Sequence, residues 1–401
     1  MMITVPITTL ISNFCRYIRR GNLKSALAFA FLAVLCLSML SAFALRVSAQ
    51  QSSADWPMFH ANSSHSGAST GHPTITPALL WNYNLGEQFY SSPAIVNSVV
   101  YIGSLNGNIY ALNAANGAYI WSSTAGPVGS SAAVVNGVVY LGSDDGNVYA
   151  FDASNGGTLW NYTTGGQVYS SPAVANGVVY VGSEDNNVYA LNATNGDKLW
   201  NYTTGGQVYS SPAVVNNTVY IGSDDRNVYA LNATNGIKLW NYTTGGFVES
   251  SPAATSGIVY VGSDDCNVYA LNATDGIQLW KYTTGFSVNS SPAVVNKIVY
   301  IGSEDGNVYA LNATNGIKLW SYPTGGAVDS SPAISNGVTY VGSEDGNVYA
   351  LGDLPASSDK LPILIGAIAA VLIIAAVVFL MFKRRLKPKP TSSQSPQQNS
   401  T

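Results

Sequence analysis

Charged side chains are scarce in this chain of 401 residues, in which Asp, Glu, Lys and Arg together make up 9%. The cysteines are Cys15, Cys36 and Cys266. Only the last lies in the main body of the sequence, which excludes an internal disulfide there. The histidines are His60, His65 and His72. All three precede the repeated part of the chain, so we expect none to act as a base in a channel of the repeated domain. We interpret them as a loop feature and not as a metal site.

A unit of about 40 residues fills most of the chain. Its tryptophans mark seven copies, at Trp81, Trp121, Trp160, Trp200, Trp240, Trp280 and Trp320. In the copy from Ser170 to Gly206, the runs VVYVGS, NVYALN and KLWNYT alternate with Asn-Gly and acidic turns. These runs and turns predict β-hairpins, and no part of the unit shows the 3.6-residue period of a helix. Four antiparallel strands in each repeat predict one blade of a β-propeller.

The strand count predicts an all-β fold, a seven-bladed β-propeller of four-stranded antiparallel blades over residues 79–351. A first strand of the type SSPA occurs seven times, starting at Ser91, Ser130, Ser170, Ser210, Ser250, Ser290 and Ser330. The last copy lacks its tryptophan strand, whereas one such strand, Leu79–Leu85, precedes the first copy. We therefore expect Leu79–Leu85 to complete the blade of residues 328–351 and close the ring, which removes an exposed sheet edge.

The junction between blades resembles a known motif. It reads Ala310-Leu-Asn-Ala-Thr-Asn-Gly-Ile-Lys-Leu-Trp320 and is similar to A-x-D-x-x-T-G-x-x-x-W, the tryptophan-docking motif of the pyrroloquinoline quinone (PQQ) enzyme repeats. The segment Asp55-Trp-Pro-Met-Phe-His60, followed by Gly67, resembles the N-terminal segment of the same proteins. By this resemblance residues 55–351 are identified as a PQQ-like β-propeller of the non-catalytic scaffold branch. The seven tryptophans are then structural docking residues that pack between blades, where Ala and Gly leave room for each ring.

The resemblance implies two kinds of function. The family includes PQQ-dependent quinoprotein dehydrogenases, and also scaffolds such as the lipoprotein that helps to assemble bacterial outer-membrane barrels. The dehydrogenases typically use an eight-bladed ring, a vicinal Cys-Cys disulfide, Ca²⁺ ligands and an Asp base. This chain has a sevenfold repeat and no Cys-Cys pair, and its near-identical blades offer no unique set of catalytic side chains. We therefore expect a binding scaffold, no enzyme activity and no PQQ or Ca²⁺. A quinoprotein dehydrogenase and a surface-layer or adhesion protein are the alternatives.

Both ends of the chain carry the composition of membrane-targeting segments. Four basic residues between positions 16 and 24 precede the apolar stretch Ala26–Leu45, so residues 1–49 are predicted to be a signal peptide or an uncleaved anchor. A lead-in segment (50–78) precedes the propeller, and a linker (352–360) follows it. Residues 361–382 are uncharged and as a helix of about 33 Å would cross a bilayer. The basic, Pro/Ser/Gln-rich tail (383–401) is then cytoplasmic, and the propeller lies outside the cell membrane.

The charge of the predicted outer domain limits its partners. All 21 acidic residues but only seven of the 17 basic ones lie between Asp55 and Lys360, a net charge of −14. This charge disfavours nucleic acid and leaves a protein or a glycan as the expected partner. Ten N-x-S/T sequons in this predicted outer domain suit an external, glycosylated surface. They are Asn62, Asn161, Asn192, Asn201, Asn216, Asn232, Asn241, Asn272, Asn289 and Asn312.

One position varies while its neighbours in the repeat stay fixed, namely the residue before each first strand. In blade order it is Tyr90, Gly129, Tyr169, Tyr209, Glu249, Asn289 and Asp329. Because the first strand of a propeller blade is innermost, these mouth residues should ring one end of the axial channel. Tyrosines beside an amide and two carboxylates suit a sugar or a cationic peptide, so the six with side chains are the predicted ligand-binding residues. Drift at a solvent-exposed loop is the alternative interpretation.

Acidic turns between the second and third strands should share a face with the mouth residues. Six blades carry such a turn, at Asp144-Asp145, Glu184-Asp185, Asp224-Asp225, Asp264-Asp265, Glu304-Asp305 and Glu344-Asp345. A ring of carboxylates could hold Ca²⁺ or a basic partner, although the spacing is not that of a calcium loop. Solvated hairpin turns are the alternative. The third strand runs from this face to the opposite one, where the chain leaves the propeller, so we expect the acidic face to point away from the membrane.

Overall fold

The computed structural model describes residues 56–63, 65, 68–69, 80–84, 90–335 and 337–352. Its strands form seven sheets of four strands each, which confirms the predicted seven-bladed, all-β propeller. In blades 1 to 6 the four strands follow one another in chain order and pair antiparallel, as in the order β10-β11-β12-β13 of blade 3. A single turn of 3₁₀ helix, Phe59–Ala61, lies in the lead-in segment.

The strand bounds repeat from blade to blade. Blades 1 to 3 contain Ala94–Val96, Val99–Gly103, Asn108–Asn113 and Tyr119–Thr124 (β2–β5); Ala133–Val135, Val138–Gly142, Asn147–Asp152 and Thr158–Thr163 (β6–β9); and Ala173–Ala175, Val178–Gly182, Asn187–Asn192 and Lys198–Thr203 (β10–β13). Blades 4 to 6 contain Ala213–Val215, Thr218–Gly222, Asn227–Asn232 and Lys238–Thr243 (β14–β17); Ala253–Thr255, Ile258–Ser263, Asn267–Asn272 and Gln278–Thr283 (β18–β21); and Ala293–Val295, Ile298–Ser303, Asn307–Asn312 and Lys318–Pro323 (β22–β25). Blade 7 contains Ala333–Ser335, Val338–Gly342 and Val348–Leu351 (β26–β28), together with β1, Ala68–Ser69.

Burial within a blade follows the position of each strand. The middle strands are buried along most of their length, since both faces pack against neighbouring blades. The outer strand β13 alternates, with Trp200 buried and Leu199 and Asn201 exposed. A register shift between Ala190 and Leu191 lets Ala190 pair with Trp200, which aims the indole at the next blade. Each core therefore lies between two blades, as in the cluster that joins blades 3 and 4.

Serine side chains hydrogen-bond neighbouring blades around the channel. The backbone N–H of Ser171 donates to Oγ of Ser211 over 2.9 Å, and that of Ser211 donates to Oγ of Ser251 over 2.8 Å. The same bond recurs from Ser92 to Ser131, Ser131 to Ser171, Ser251 to Ser291 and Ser291 to Ser331. These six bonds form a serine ladder that joins the inner ends of all seven blades. The SSPA sequence therefore connects the blades as well as starting each first strand.

The ring is not closed by the strand that the sequence indicates. Of Leu79–Leu85, residues 80–84 are described and form no strand. Instead β1 (Ala68–Ser69) joins blade 7 at its inner edge, parallel to β26, with Ala68 opposite Ile334. The described residues of the lead-in segment lie in the channel, and Ala68–Ser69 pairs with the inner edge of blade 7. Trp81 follows later in the sequence. Trp81 nevertheless docks on blade 1, where its Nε1–H donates to the carbonyl of Ala114 over 2.9 Å.

No helix within the described ranges is long and apolar enough to cross a membrane. The predicted signal segment (1–49) and the predicted transmembrane helix (361–382) with its tail lie outside the described residues, as do most of the linker and His72. These remain predictions from the sequence.

Candidate functional site

The tryptophans occupy equivalent places between blades. The Nε1–H of Trp200 donates to the carbonyl of Ala233 in the next blade over 2.9 Å. Equivalent bonds join Trp121 to Ala153, Trp160 to Ala193, Trp240 to Ala273 and Trp280 to Ala313. Trp320 in blade 6 is only partly buried and lies 5.9 Å from the ring of Tyr300. Each alanine of the Asn-Ala-Thr turn thus supplies an acceptor, and the glycine three residues later, such as Gly236 beside Trp200, leaves space for the indole.

A tyrosine in the second strand of blades 1 to 5 completes this contact, and sequence reasoning missed it. The hydroxyl of Tyr180 donates to the carbonyl of Ala233 over 3.1 Å, so one carbonyl accepts from both Tyr180 and Trp200. The rings of these two residues lie 5.9 Å apart. The tyrosine that recurs in every second strand, in a strand that should be buried, was the available signal. Burial raises the pKa of Tyr180, as expected for a phenol that donates inside a core.

The mouth residues lie beside the acidic turns, as the strand directions predict. The hydroxyl of Tyr209 contacts Glu184 Oε1 at 2.8 Å, and Asn289 Nδ2 donates to Glu304 Oε1 over 2.9 Å. The rings of Tyr169 and Tyr209 lie 5.9 Å apart. Tyr209 thus contacts the turn of the preceding blade, whereas Asn289 contacts the turn of its own blade. The structure therefore joins the two predicted features into one surface.

The two acidic residues of each turn have different roles. The second is engaged within the fold: Asp185 Oδ2 accepts from the Tyr189 hydroxyl over 2.5 Å and from Gly165 N over 2.7 Å. Although burial opposes it, these bonds together with those from Asn187 lower the pKa of Asp185. Asp265 and Asp305 behave in the same way. Sequence reasoning treated both carboxylates of a turn alike, but only the first faces the mouth.

The first acidic residues converge around Glu249. Burial, together with the charges of Asp264 and Asp224, raises the pKa of Glu249 to about 7. Burial and the same kind of repulsion raise the pKa of Asp224 to about 6. One buried carboxylate oxygen each of Asp224 and Asp264 makes no hydrogen bond to any described residue. We call Glu184, Asp224, Glu249, Asp264 and Glu304 the acidic arc. Within the described residues no cluster of His, Cys, Asp and Glu has the arrangement of a metal site.

The described part of the lead-in segment, residues 56–63, 65 and 68–69, lies in the channel and pairs with inner strands around the ring. Trp56 pairs with Ile95 of blade 1 through two backbone bonds of 2.7 and 2.8 Å. The carbonyl of Pro57 accepts from Val134 N over 2.6 Å in blade 2, and that of Ser63 from Val214 N over 2.5 Å in blade 4. With β1 on blade 7, this segment contacts four blades by backbone pairing alone.

Two histidines therefore lie inside the ring, contrary to the expectation from their position in the sequence. His60 and His65 are 4% and 1% exposed and face the main chain at Pro292 and Pro252, which precede inner strands. Neither nitrogen of His60 nor Nδ1 of His65 makes a regular hydrogen bond to a described residue. Burial lowers the pKa of His60 to about 4 and that of His65 to about 3. The location of these histidines could not be predicted from their place in the sequence, because the segment before the first blade lies in the channel.

A cavity of about 710 Å³ opens at the mouth between blades 7 and 1, and we call it the seam cavity. Its floor is formed by Trp56, Phe59 and His60 of the lead-in segment. Tyr90, which is 71% exposed, and Asp329 line it from the mouth. Its walls include Ser92, Ser131, Ser171, Ser330 and Ser331. The mouth thus has two parts, the acidic arc and the seam cavity.

The predicted glycosylation sites differ in exposure. The side chains of Asn161, Asn201, Asn216 and Asn241 are exposed. Those of the Asn-Ala-Thr turns are partly buried, and the Oδ1 of Asn232, for example, accepts from Thr234 N over 2.9 Å. This role of the asparagine in the turn explains why the Asn-Ala-Thr sequon recurs in blades 3 to 6.

Solved structures share the propeller. BamB from Moraxella catarrhalis is 23% identical over 68% of this chain and 87% of that one, with a TM-score of 0.60. The computationally designed Ika8 protein is 18% identical over 66% and 83%, also at 0.60. A europium-containing methanol dehydrogenase is 12% identical over 74% and 89%, again at 0.60. At these identities the similarity shows the fold alone.

No curated protein matches the chain significantly. A family model does match, over residues 105–211 and 203–380, which is more than half of the chain, and its description is outer membrane protein assembly factor BamB. The match confirms the resemblance that the blade junctions indicate. The chain therefore belongs to this family of PQQ-like repeat propellers.

Proposed function

We propose that this protein is a non-catalytic binding scaffold that holds a basic segment of a partner protein against the acidic arc. The observation that carries the proposal is the convergence of carboxylates on Glu249, at the position where otherwise near-identical blades differ. Mutual repulsion among Glu249, Asp224 and Asp264 would be relieved by a bound Lys or Arg. Such a pair forms charge-assisted hydrogen bonds at a site already partly shielded from water.

Family membership supports a scaffold role, because the matching model is described as an assembly factor. The similarity to methanol dehydrogenase concerns fold alone and gives no residue of this chain a catalytic role. A quinoprotein dehydrogenase therefore remains the less supported alternative. For location we propose an envelope protein anchored by residues 361–382, with the propeller outside and the tail in the cytoplasm. Residues 1–49 would serve as a signal peptide or as a second anchor.

A charge-matched pair of variants tests the arc. Asp224→Asn with Glu249→Gln removes two carboxylates from the arc, and Asp197→Asn with Asp275→Asn removes two from exposed turns at the opposite ends of the strands. The full chain in detergent is used to capture partners from envelope extract at low and high salt. We expect the arc variant to lose a partner that the control retains, and capture by the wild type to weaken with salt.

Other outcomes separate the alternatives. Equal capture by both variants would refute the acidic arc as the binding surface. Association of the chain only with itself would favour the surface-layer or adhesion role. Reduction of a redox dye on adding PQQ, Ca²⁺ and an alcohol or sugar would favour the dehydrogenase.

A further inference from the structure

The seam cavity differs in chemistry from the acidic arc beside it. Asp329 is the one carboxylate among the residues that line it, and no Lys or Arg lines it. The other polar side chains are those of serines, Tyr90 and His60, and the apolar surface includes Trp56 and Phe59. Hydroxyl and aromatic groups in a cavity of about 710 Å³ suit a small polar ligand with an apolar face.

The wall serines present donors to the cavity. Oγ of Ser131 and Oγ of Ser171 each accept a backbone N–H from the preceding blade over 2.9 Å. Both residues are 5% exposed. A hydroxyl that accepts one bond still has its own hydrogen to donate. The serine ladder therefore fixes these oxygens in place while leaving each hydroxyl hydrogen for a ligand.

The floor holds a buried histidine with unmet hydrogen-bonding capacity. His60 is 4% exposed and lines the cavity, and neither ring nitrogen makes a regular hydrogen bond to a described residue. As a neutral imidazole it offers one donor and one acceptor. The main-chain groups of His65 and Pro292 lie near its ring but do not meet them with regular hydrogen-bond geometry, which is costly in a buried place. His60 and Ala61 also have φ of +52° and +72°, a left-handed conformation that non-glycine residues adopt at a cost and that often marks functional sites.

We propose that the seam cavity binds a neutral saccharide of one to three rings, stacked on Tyr90 and hydrogen-bonded by Asp329, His60 and the wall serines. A sugar hydroxyl both donates and accepts, as do the groups of this cavity, and the apolar face of a sugar ring packs on an aromatic one. The acidic surroundings disfavour anionic ligands. This inference goes beyond the partner binding proposed for the acidic arc and does not depend on it.

The test measures binding of N-acetylchitotriose, mannotriose and cellotriose to the full chain by calorimetry. The detergent must have no sugar headgroup. Two rim variants, Tyr90→Ala and Asp329→Asn, change exposed side chains, so we expect them to fold normally. Tyr119→Ala is the matched control, because Tyr119 is also exposed but lies on the outer strand of blade 1. His60→Phe keeps an aromatic ring of similar size and removes both nitrogens.

We expect the wild type to bind at least one of these sugars with a Kd of about 1 mM or tighter. Tyr90→Ala, Asp329→Asn and His60→Phe should each weaken that binding about tenfold, while Tyr119→Ala leaves it unchanged. Absence of binding for all three sugars would overturn the inference, as would equal affinities for Tyr90→Ala and Tyr119→Ala. Binding of a lysine-rich peptide in place of sugar, lost in Asp329→Asn, would also overturn it. Sugar binding without partner capture would instead leave this inference standing and count against the acidic arc.

Discussion

The hydroxyl of Tyr209 lies 2.8 Å from Oε1 of Glu184, so a mouth residue of blade 4 holds the acidic turn of blade 3. Blades 3 and 4 are therefore joined at this surface as well as through their shared core. The variable position therefore contributes to the packing of the ring as well as to the proposed recognition.

Replacing Tyr209 with Phe should show how much its hydrogen bond to Glu184 contributes to stability. The change removes the hydrogen bond to a carboxylate while keeping the ring that packs beside Tyr169. Because the pair is partly exposed, we expect a loss of about 1 kcal/mol in the free energy of unfolding. Denaturant unfolding measures it, with Tyr90→Phe as the control, since the Tyr90 side chain is 71% exposed. An equal effect of the two changes would show that the hydrogen bond between Tyr209 and Glu184 does not contribute to the free energy of unfolding.

Neutralising the acidic arc should stabilise the protein near neutral pH. Folded-state pKa values of about 7 for Glu249 and about 6 for Asp224 lie above those of unfolded chains. The folded state thus binds more protons than the unfolded one between about pH 4 and 7, so this part of the stability rises as pH falls through that window. After allowance for solvent screening, Glu249→Gln should add about 1 kcal/mol at pH 8 and nothing at pH 4. Thermal midpoints across pH check this.

The buried histidines, in contrast, should make the protein less stable as the pH falls. Their pKa values in the folded state, about 4 for His60 and about 3 for His65, lie below the usual 6.5. Stability from these groups is therefore full above pH 6.5 and is lost as pH falls toward 3. In the double variant His60→Phe with His65→Leu, the free energy of unfolding should fall between pH 6.5 and pH 3 by at least about 3 kcal/mol less than it does in the wild type. The same acid limb in the variant and the wild type would show that the histidines are not buried in solution.

Two glycines with nearly the same backbone conformation allow the cost of a packing clash to be measured separately from the cost of the conformation itself. Gly196 has φ +75°, and an added Cβ would lie 2.7 Å from Cε3 of Trp160. Gly177 has φ +77° with no atom within 4 Å of an added Cβ. Gly177→Ala should cost about 1 kcal/mol from the backbone alone, and Gly196→Ala about 3 kcal/mol because the tryptophan must also move. Denaturant midpoints measure both, and equal losses would contradict the close contact with Trp160.

The repeated strands and turns were predictable because each pattern occurs in six or seven copies, whereas the hydroxyl contacts of the repeated tyrosines were missed. Strand spacing, turn residues and the innermost place of SSPA yielded the ring and put the mouth beside the acidic turns. Features that occur once were not predictable. Ala68–Ser69 carries no strand pattern, and it pairs only because the chain before it lies in the channel. The burial of His60 and His65 follows from that path, and so does the seam cavity. The different roles of Glu184 and Asp185 depend on a tyrosine hydroxyl four residues away.

Near-identical blades do not by themselves determine how many of them form the ring, since every blade interface is made of the same contacts. Among the residues that the structure describes, those of the lead-in segment are the part of the ring that does not repeat. By pairing with Ile95 at its start and Ile334 at its end, it marks which blade is first and which is last. A chain lacking these residues would have interchangeable neighbours, and rings with a blade missing, or two chains exchanging blades, would then compete with the sevenfold ring.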